Sequence, residues 1–195
     1  MVLVSTPSTK STEIPTRPER PPASMRNVGL ILAIMAAVAA ADQLIKQWVL
    51  DNLELGTAYP VIGDWFRFYL IFNPGAAFGM GEDSTWLFTT IQLVFSLGVL
   101  VASPFIRDRG VAVGLAMIGG GALGNLIDRL LREPGFWFGH VVDYISVGNF
   151  AIFNLADASI SVGVVVFFIA MLLEDRRESR TRSPETTERG SEEND

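Results

Sequence analysis

The stretch from residue 111 to residue 131 reads VAVGLAMIGGGALGNLIDRLL, and it carries no charge before Asp128. An α-helix rises about 1.5 Å per residue, so about 20 apolar residues cross a hydrocarbon core about 30 Å thick. A run this long without polar alternation favours a helix, which satisfies its own backbone hydrogen bonds in lipid. The stretch therefore predicts a transmembrane helix.

Three further apolar stretches of similar length occupy residues 28–50, 86–106 and 155–173. The fold class that they predict is an all-α membrane protein with four transmembrane helices. The first stretch has a rival interpretation, because Arg26, the apolar run and Ala39-Ala40-Ala41 resemble a secretory signal with its cleavage site. Apolar residues resume immediately after the alanines, which favours a span.

The two ends of the chain are polar. Residues 1–27 are rich in Ser, Thr, Pro and Arg, and we expect a disordered N-terminal extension. Residues 28–174 form the four-span domain, and residues 175–195 are predicted to be a disordered tail. That acidic tail supplies much of the formal charge of −6, so the charge gives no indication of a nucleic-acid partner.

Orientation follows from the distribution of Lys and Arg. They precede the first span, occupy the loop at 107–109 and follow the fourth span, whereas only Arg67 and Arg132 lie in the other two loops. The positive-inside rule predicts that both termini are cytoplasmic. The four tryptophans then fall near the outer interface, as an aromatic belt requires.

The outer loops have a composition of their own. Residues 65–72 read WFRFYLIF, a β-prone run that ends at the turn signal Asn73-Pro74-Gly75. Residues 133–150 form a second, Gly-rich and aromatic loop. We predict a small β-type cradle that lies in the outer membrane interface.

Ionisable and amide side chains gather at the outer ends of the spans. Ionised groups at membrane depth cost several kcal/mol each unless they are paired or wetted, so they are candidates for function. The group comprises Asp42, Lys46, Asn125, Asp128, Arg129, Asp143, Asn154 and Asp157.

Each member of this group also has a structural interpretation. Asp42 and Lys46 have the i,i+4 spacing of a helical ion pair, which favours a structural or substrate-positioning role. Arg129 could snorkel to the interface or hold a carboxylate or peptide carbonyl. Asp128 could pair with Arg129 or with a loop cation. The small residues at 119–124 predict close helix packing, and the single histidine, His140, is interpreted as an interfacial loop residue.

Asp143 and Asp157 suggest chemistry. Capping of the fourth helix would explain Asp157 alone. Two neighbouring carboxylates share one proton, so that one member activates a water as general base while the other donates a proton. The sequence has no cysteine and one histidine, which excludes a thiol nucleophile and His-rich zinc sites but suits this mechanism.

The motifs resemble those of the lipoprotein signal peptidases, also called signal peptidase II. The matching blocks, in order, are Asp42-Gln43-x-x-Lys46, the 73–79 block NPGAAFG, Gly120-Gly121-Ala122-x-Gly124-Asn125-x-x-Asp128-Arg129, the 141–145 block VVDYI and Phe153-Asn154-x-Ala156-Asp157. The resemblance covers about residues 28–174. The polar ends carry no family motif, and residues 130–140 form a longer link than the family usually has.

The resemblance implies an aspartic endopeptidase of the bacterial cytoplasmic membrane, with its active site toward the outer leaflet. It implies a substrate, a prolipoprotein that carries diacylglyceryl on a cysteine, and cleavage on the N-terminal side of that cysteine. The implied catalytic residues are Asp143 and Asp157. The implied substrate-binding or dyad-supporting residues are Asp42, Lys46, Asn73, Asn125, Arg129 and Asn154. We expect membrane lipid as the only other partner, activity as a monomer, no nucleic acid, no metal and no cofactor.

Three alternative functions would use the same polar residues. A small transporter would use the acids to exchange protons, but such acids should be reachable from both faces. A structural scaffold would use the polar cluster only to fasten helices. A metal-dependent hydrolase would use the carboxylates as ligands, although a site without His or Cys binds transition metals poorly.

Overall fold

The computed structural model describes residues 23–75 and 84–182, and four long helices and three strands account for most of them. A short 3₁₀ turn, Ser103–Phe105, follows the second helix. The elements in chain order are α1 (Ala23–Asn52), β1 (Ala58–Ile62), β2 (Phe66–Asn73), α2 (Thr85–Ala102), α3 (Arg109–Leu131), β3 (Val141–Val147) and α4 (Leu155–Arg182).

All four helices are long and apolar enough to cross a membrane, which confirms the predicted fold class. Two boundaries differ from the sequence prediction. Helix α1 begins at Ala23, inside the predicted extension, and α4 continues to Arg182, beyond the predicted domain end at residue 174. The extra turns of α4, residues 175–182, include four arginines, and Arg is a good helix former, so the helix continues where the apolar run ends. The remainder of the two predicted extensions, 1–22 and 183–195, lies outside the described residues.

Helix α3 is the centre of the bundle and packs against α1, α2 and α4. In the apolar 18-residue stretch of α3, 61% of the residues are buried, against 17–22% in the corresponding stretches of the other three helices. Glycines make this possible: a Cβ on Gly120 would lie 2.9 Å from Val38 Cβ, and one on Gly114 would lie 2.6 Å from Phe167 N. Close packing by small residues, predicted for 119–124, is confirmed.

Helix α1 runs without interruption through the three alanines of the alternative cleavage site. One face of it, which includes Ile31 and Met35, belongs to a buried cluster with Val99 and Ala116 of the neighbouring helices. The helix is therefore an integral part of the bundle, as the span interpretation requires.

The three strands form one antiparallel sheet in the order β1-β2-β3, which confirms the predicted cradle. Strand β2 coincides with the β-prone run, and its bulge between Phe68 and Ile71 shifts the register against β3. Beyond the bulge, Ile71 pairs with Asp143. Val142 and Tyr144 of β3 pack with Leu70 of β2 and Val49 of α1 in a second buried cluster, so this part of the sheet packs against the helical bundle.

Candidate active site

One cavity of about 580 Å³ opens among α2, α3, α4, the end of the sheet and the loop before α4. Its wall is mostly apolar, and its polar groups come from separate elements. The lining includes Asn73, Gly75, Phe88, Gln92, Asn125, Arg129, Val141, Asp143, Phe150, Ala151, Ile152, Phe153, Asp157, Ala158, Ile160, Ser161 and Val162. Asp143 and Asp157 therefore reach the same space from β3 and from α4.

Asp143 is held by two side-chain amides and is 1% exposed. Asn73 Nδ2 donates to its Oδ2 at 2.8 Å, and Asn154 Nδ2 donates to its Oδ1 at 2.6 Å. Burial, followed by the negative charge of Asp157, raises the pKa of Asp143 to about 7, although the two amide hydrogen bonds act in the opposite direction. Near neutral pH this carboxyl can therefore hold or release a proton.

Asp157 lies in the first turn of α4 and takes part in a reciprocal cap. Its N–H donates to Asn154 Oδ1 at 3.0 Å, and its Oδ2 accepts from the Asn154 N–H at 3.2 Å. Its other oxygen, Oδ1, accepts from Asn125 Nδ2 at 2.8 Å. Asp157 therefore takes part in the cap and also lines the cavity: Oδ2 belongs to the cap, and Oδ1 binds Asn125, which is another lining residue.

Asn154 connects the two aspartates. Besides capping α4 and donating to Asp143, its Nδ2 donates to Asn125 Oδ1 at 3.0 Å. Asn154 is fully buried, so its donors have no competing water. Three amides, those of Asn73, Asn125 and Asn154, thus hold both carboxyl groups in fixed orientations.

Lys46 and Asp42 lie behind this amide group rather than on the cavity wall. The predicted i,i+4 ion pair is present, with Lys46 Nζ 2.7 Å from Asp42 Oδ2 and both side chains fully buried. The same ammonium contacts Asp128 Oδ2 and Asn125 Oδ1, each at 2.8 Å. Asp42 also accepts from the Ala156 N–H at 3.0 Å, next to Asp157.

Asp128 contacts several elements, and the sequence had left its cation partner open. Its ion-pair partners are Lys46 and the loop cation Arg132, whose Nε lies 2.6 Å from Asp128 Oδ1; Arg129 is not among them. Its Oδ2 accepts from the Val142 N–H at 3.2 Å, immediately before Asp143. The i,i+4 spacing of Asp128 and Arg132 could have predicted their ion pair, whereas no sequence pattern predicts the contact between Asp128 and Lys46.

Arg129 does not snorkel, and that interpretation was wrong: the residue is 2% exposed. Its fork donates to backbone carbonyls, with Nη2 2.8 Å from Gly75 O and Nη1 3.2 Å from Pro74 O and 3.3 Å from Gly139 O. Its guanidinium carbon lies 5.8 Å from the centroid of the Phe88 ring. Because the loop carbonyls accept its N–H groups, the guanidinium of Arg129 is hydrogen-bonded inside the protein and does not extend to the interface.

Several residues of the cavity wall were not singled out by sequence reasoning. Phe88 and Gln92 stand one turn apart on α2 and, with Ile160 and Val162 of α4, supply side walls. His140 lines a different cleft, as a loop histidine. Within residues 23–75 and 84–182, no three His, Cys, Asp or Glu side chains are placed to share a metal ion.

The fold and the site define a multi-pass membrane protein with a buried acidic and amide-rich centre. The chain belongs to the signal peptidase II family, whose description reads "Signal peptidase (SPase) II" and whose model matches residues 34–173. It is therefore a peptidase.

Individual relatives agree with this assignment. A lipoprotein signal peptidase of Rhodococcus jostii is 39% identical over 156 residues, covering 80% of this chain and 78% of the relative. One from Desulfitobacterium hafniense is 39% identical over 155 residues, covering 78% of this chain and 99% of the relative. A bacterial membrane enzyme solved by the in meso method at 2.3 Å resolution superposes with a TM-score of 0.67 at 27% identity, covering 80% and 93% of the two chains.

Proposed function

We propose that this peptidase is an aspartic endopeptidase that removes signal peptides from diacylglyceryl-modified prolipoproteins. It cuts on the N-terminal side of the lipidated cysteine, with Asp143 and Asp157 as the catalytic dyad. The observation that carries the proposal is that both carboxyl groups line one cavity and share Asn154 as a hydrogen-bonding partner. The substrate class rests on the printed names of the relatives, which are lipoprotein signal peptidases.

The two acids have different surroundings, which supports different roles. Asp157 lies at the N-terminus of α4, where the helix dipole and the N–H of Asn154 favour a negative charge, so it is the general base. Asp143, with a pKa of about 7, holds the shared proton and is the general acid. Asp157 takes a proton from water, the oxygen attacks the scissile carbonyl, and Asp143 protonates the carbonyl oxygen. Collapse of this intermediate breaks the C–N bond: Asp157 gives its proton to the departing cysteine nitrogen, and Asp143 takes a proton back from a hydroxyl of the gem-diol, so both acids return to their starting states.

The polar neighbours support the dyad by orienting it. Asn73, Asn125 and Asn154 fix the carboxyl planes, and Lys46 with Asp42 fixes Asn125 and the first turn of α4 from behind. Arg129 holds the Pro74-Gly75 segment against the cavity. An active site assembled from such preformed contacts needs little reorganisation during the reaction.

The apolar part of the cavity suits a substrate that is anchored in lipid. Phe88, Ile160 and Val162 form an apolar wall beside the acids, and the cavity lies between helices that span the membrane. Acyl chains can therefore remain in hydrocarbon while the peptide bond reaches the dyad.

The orientation belongs to the same proposal. The active site faces the outer leaflet of the bacterial cytoplasmic membrane, with both termini cytoplasmic, as the distribution of Lys and Arg indicates. The peptidase domain covers residues 28–174, and one chain is active as a monomer because it supplies every proposed site residue.

A cleavage assay tests the proposal. The purified full chain, reconstituted in lipid, is given a diacylglyceryl-modified prolipoprotein, and release of the signal peptide is measured. We expect release by the wild type and by Asp64→Asn, an exposed acid on the turn between β1 and β2, but not by Asp143→Asn or Asp157→Asn. Normal cleavage by either dyad variant would overturn the assignment.

The same assay separates the rivals. A scaffold predicts that no variant cleaves and that the Asn substitutions change only stability. A metal-dependent hydrolase predicts loss of activity with a chelator, whereas the dyad predicts none. A proton-exchanging transporter predicts proton flux into liposomes without any peptide release.

A further inference from the structure

The end of the bundle opposite the candidate active site contains a basic cleft of about 280 Å³. It is lined by Arg26, Asn27 and Leu30 of α1, by Arg107 of the loop between α2 and α3, and by Arg109 at the start of α3. Arg109 precedes Asn125 by about 16 residues, or about 24 Å along the α3 axis. The cleft is therefore remote from the cavity that holds the dyad.

The cleft is a fixed feature because Asn27 holds its two sides together. Asn27 is 6% exposed, and its Nδ2 donates to Ile106 O at 3.1 Å and to Arg107 O at 2.9 Å. Both amide hydrogens are thereby used to tie the loop to α1. The positions of Arg26 and Arg107 on the two sides of the cleft are set by this clamp.

Among the residues that the structure describes, Arg26, Arg107 and Arg109 take part in none of the side-chain ion pairs of Lys46 and Arg132 with Asp42 and Asp128, which lie near the other end of the bundle. The carboxylate nearest in sequence, Asp108, accepts from the Val111 N–H at 2.8 Å as the N-cap of α3. Three exposed guanidinium groups therefore face one concave space, an arrangement that suits a phosphate, which accepts paired N–H donors.

The surroundings of the cleft identify the source of that phosphate. Next to the loop, Val101 and Phe105 are 72% and 80% exposed on the membrane-spanning surface of α2 and its 3₁₀ turn. An inorganic anion would gain nothing from these side chains, whereas the acyl chains of a phospholipid would cover them. The cleft stands at helix ends, where phosphates of the bilayer lie.

We propose that this cleft binds the phosphodiester of an anionic phospholipid, with Arg26, Arg107 and Arg109 as the phosphate ligands. The lipid then bridges α1 to the α2–α3 loop and adds to the clamp made by Asn27. The cleft and the cavity share no lining residue, so lipid binding does not depend on the proposed peptide cleavage.

Lipid titration monitored by native mass spectrometry tests the site, with the purified full chain in detergent micelles. The probes are dioleoyl-phosphatidylglycerol, dioleoyl-phosphatidylcholine and inorganic phosphate. We expect phosphatidylglycerol to bind the wild type about tenfold more tightly than phosphatidylcholine, a preference of the size that one or two charge-assisted hydrogen bonds supply. The triple variant Arg26→Gln/Arg107→Gln/Arg109→Gln is expected to lose that preference.

A second triple variant controls for total charge. Arg176→Gln/Arg177→Gln/Arg180→Gln removes the same number of charges from α4 at the same end of the bundle, since Ala170 of α4 lies against Gly110 of α3. It should keep the preference. Equal loss in both triple variants would overturn the proposal in favour of general attraction to a basic surface.

Two further measurements test whether the ligand is a lipid and whether the loss of preference comes from the cleft itself. Displacement of phosphatidylglycerol by excess inorganic phosphate would overturn the lipid assignment and indicate a free-anion site. The milder Arg107→Gln variant, which alters one exposed side chain, should lower the preference while eluting at the wild-type position in gel filtration. An unchanged preference in that folded variant would also count against the site.

Discussion

Nζ of Lys46 lies 2.8 Å from Oδ1 of Asn125, and this hydrogen bond joins the buried ion cluster of α1 and α3 to the aspartates of the cavity. Asn125 in turn orients Asp157, because its Nδ2 donates to the Asp157 carboxylate. The ammonium has three N–H donors and three acceptors, one each from Asp42, Asp128 and Asn125. A charge inside the bundle is thus fully satisfied, and it orients the candidate site.

Replacement of Lys46 by Met is expected to destabilise the bundle strongly. The change leaves Asp42 without its cation and Asp128 with only Arg132, and a buried charge that loses its partner costs about 3–5 kcal/mol. Unfolding by denaturant in micelles measures the effect. The matched control is Gln47→Met on the exposed face of the same helix, with an expected change within about 0.5 kcal/mol. Similar stability for both variants would contradict the role of the cluster.

Two substitutions of Asn154 should separate helix capping from orientation of the dyad. Asn154→Ala removes both the cap to Asp157 N and the donor to Asp143, so we expect a loss of about 1 kcal/mol in stability and about a hundredfold in kcat. Asn154→Ser restores a good N-cap but cannot reproduce the amide donor. It should recover the stability and leave kcat low. Full recovery of kcat in the Ser variant would mean that Asn154 acts only as a cap.

A methyl group added to Gly121 should force α3 and α4 apart beside the candidate site. A Cβ at this position would contact the backbone of Ala156, the residue before Asp157, so its neighbour cannot give way cheaply. We expect Gly121→Ala to cost about 1–3 kcal/mol in stability and to lower peptidase activity. Gly98→Ala on α2 is the control, because nothing lies within 4 Å of its added Cβ. That control should be neutral or slightly stabilising, and thermal unfolding of both variants checks the difference.

The stability of the protein should fall as pH rises from about 4 to about 7. Folded Asp143 has a pKa raised to about 7 from its ordinary 3.8, so the folded state binds more protons than the unfolded chain in this window. Its stabilising contribution is complete at the acidic end and is lost as pH passes the folded pKa. Asp143→Asn removes the titrating group, so this variant should show a flatter profile than the wild type. An equally steep profile in Asp143→Asn, with Asp64→Asn as the exposed control, would contradict this origin.

The local features of this protein could be derived from sequence because their cause is local. The four spans follow from the length of the apolar runs, and the Asp42–Lys46 pair follows from helical spacing. The glycine-rich packing surface of α3 follows from side-chain size alone. Strand β2 was visible in its aromatic composition, whereas β1 and β3 carried weaker signals.

Tertiary structure alone decided how the polar residues are shared among partners. Lys46 meets Asp128 and Asn125 across about 80 positions of chain, and nothing in a single sequence encodes which of several buried acids an ammonium will contact. Arg129 was expected to reach the interface or to hold a carboxylate or a peptide carbonyl, and it binds backbone carbonyls of two loops; which carbonyls these are could not be derived, since backbone acceptors have no signature in residue type. The amino-acid order thus determined which groups enter the membrane, and the packing of α3 against its neighbours, with the register of β3, determined which of them touch.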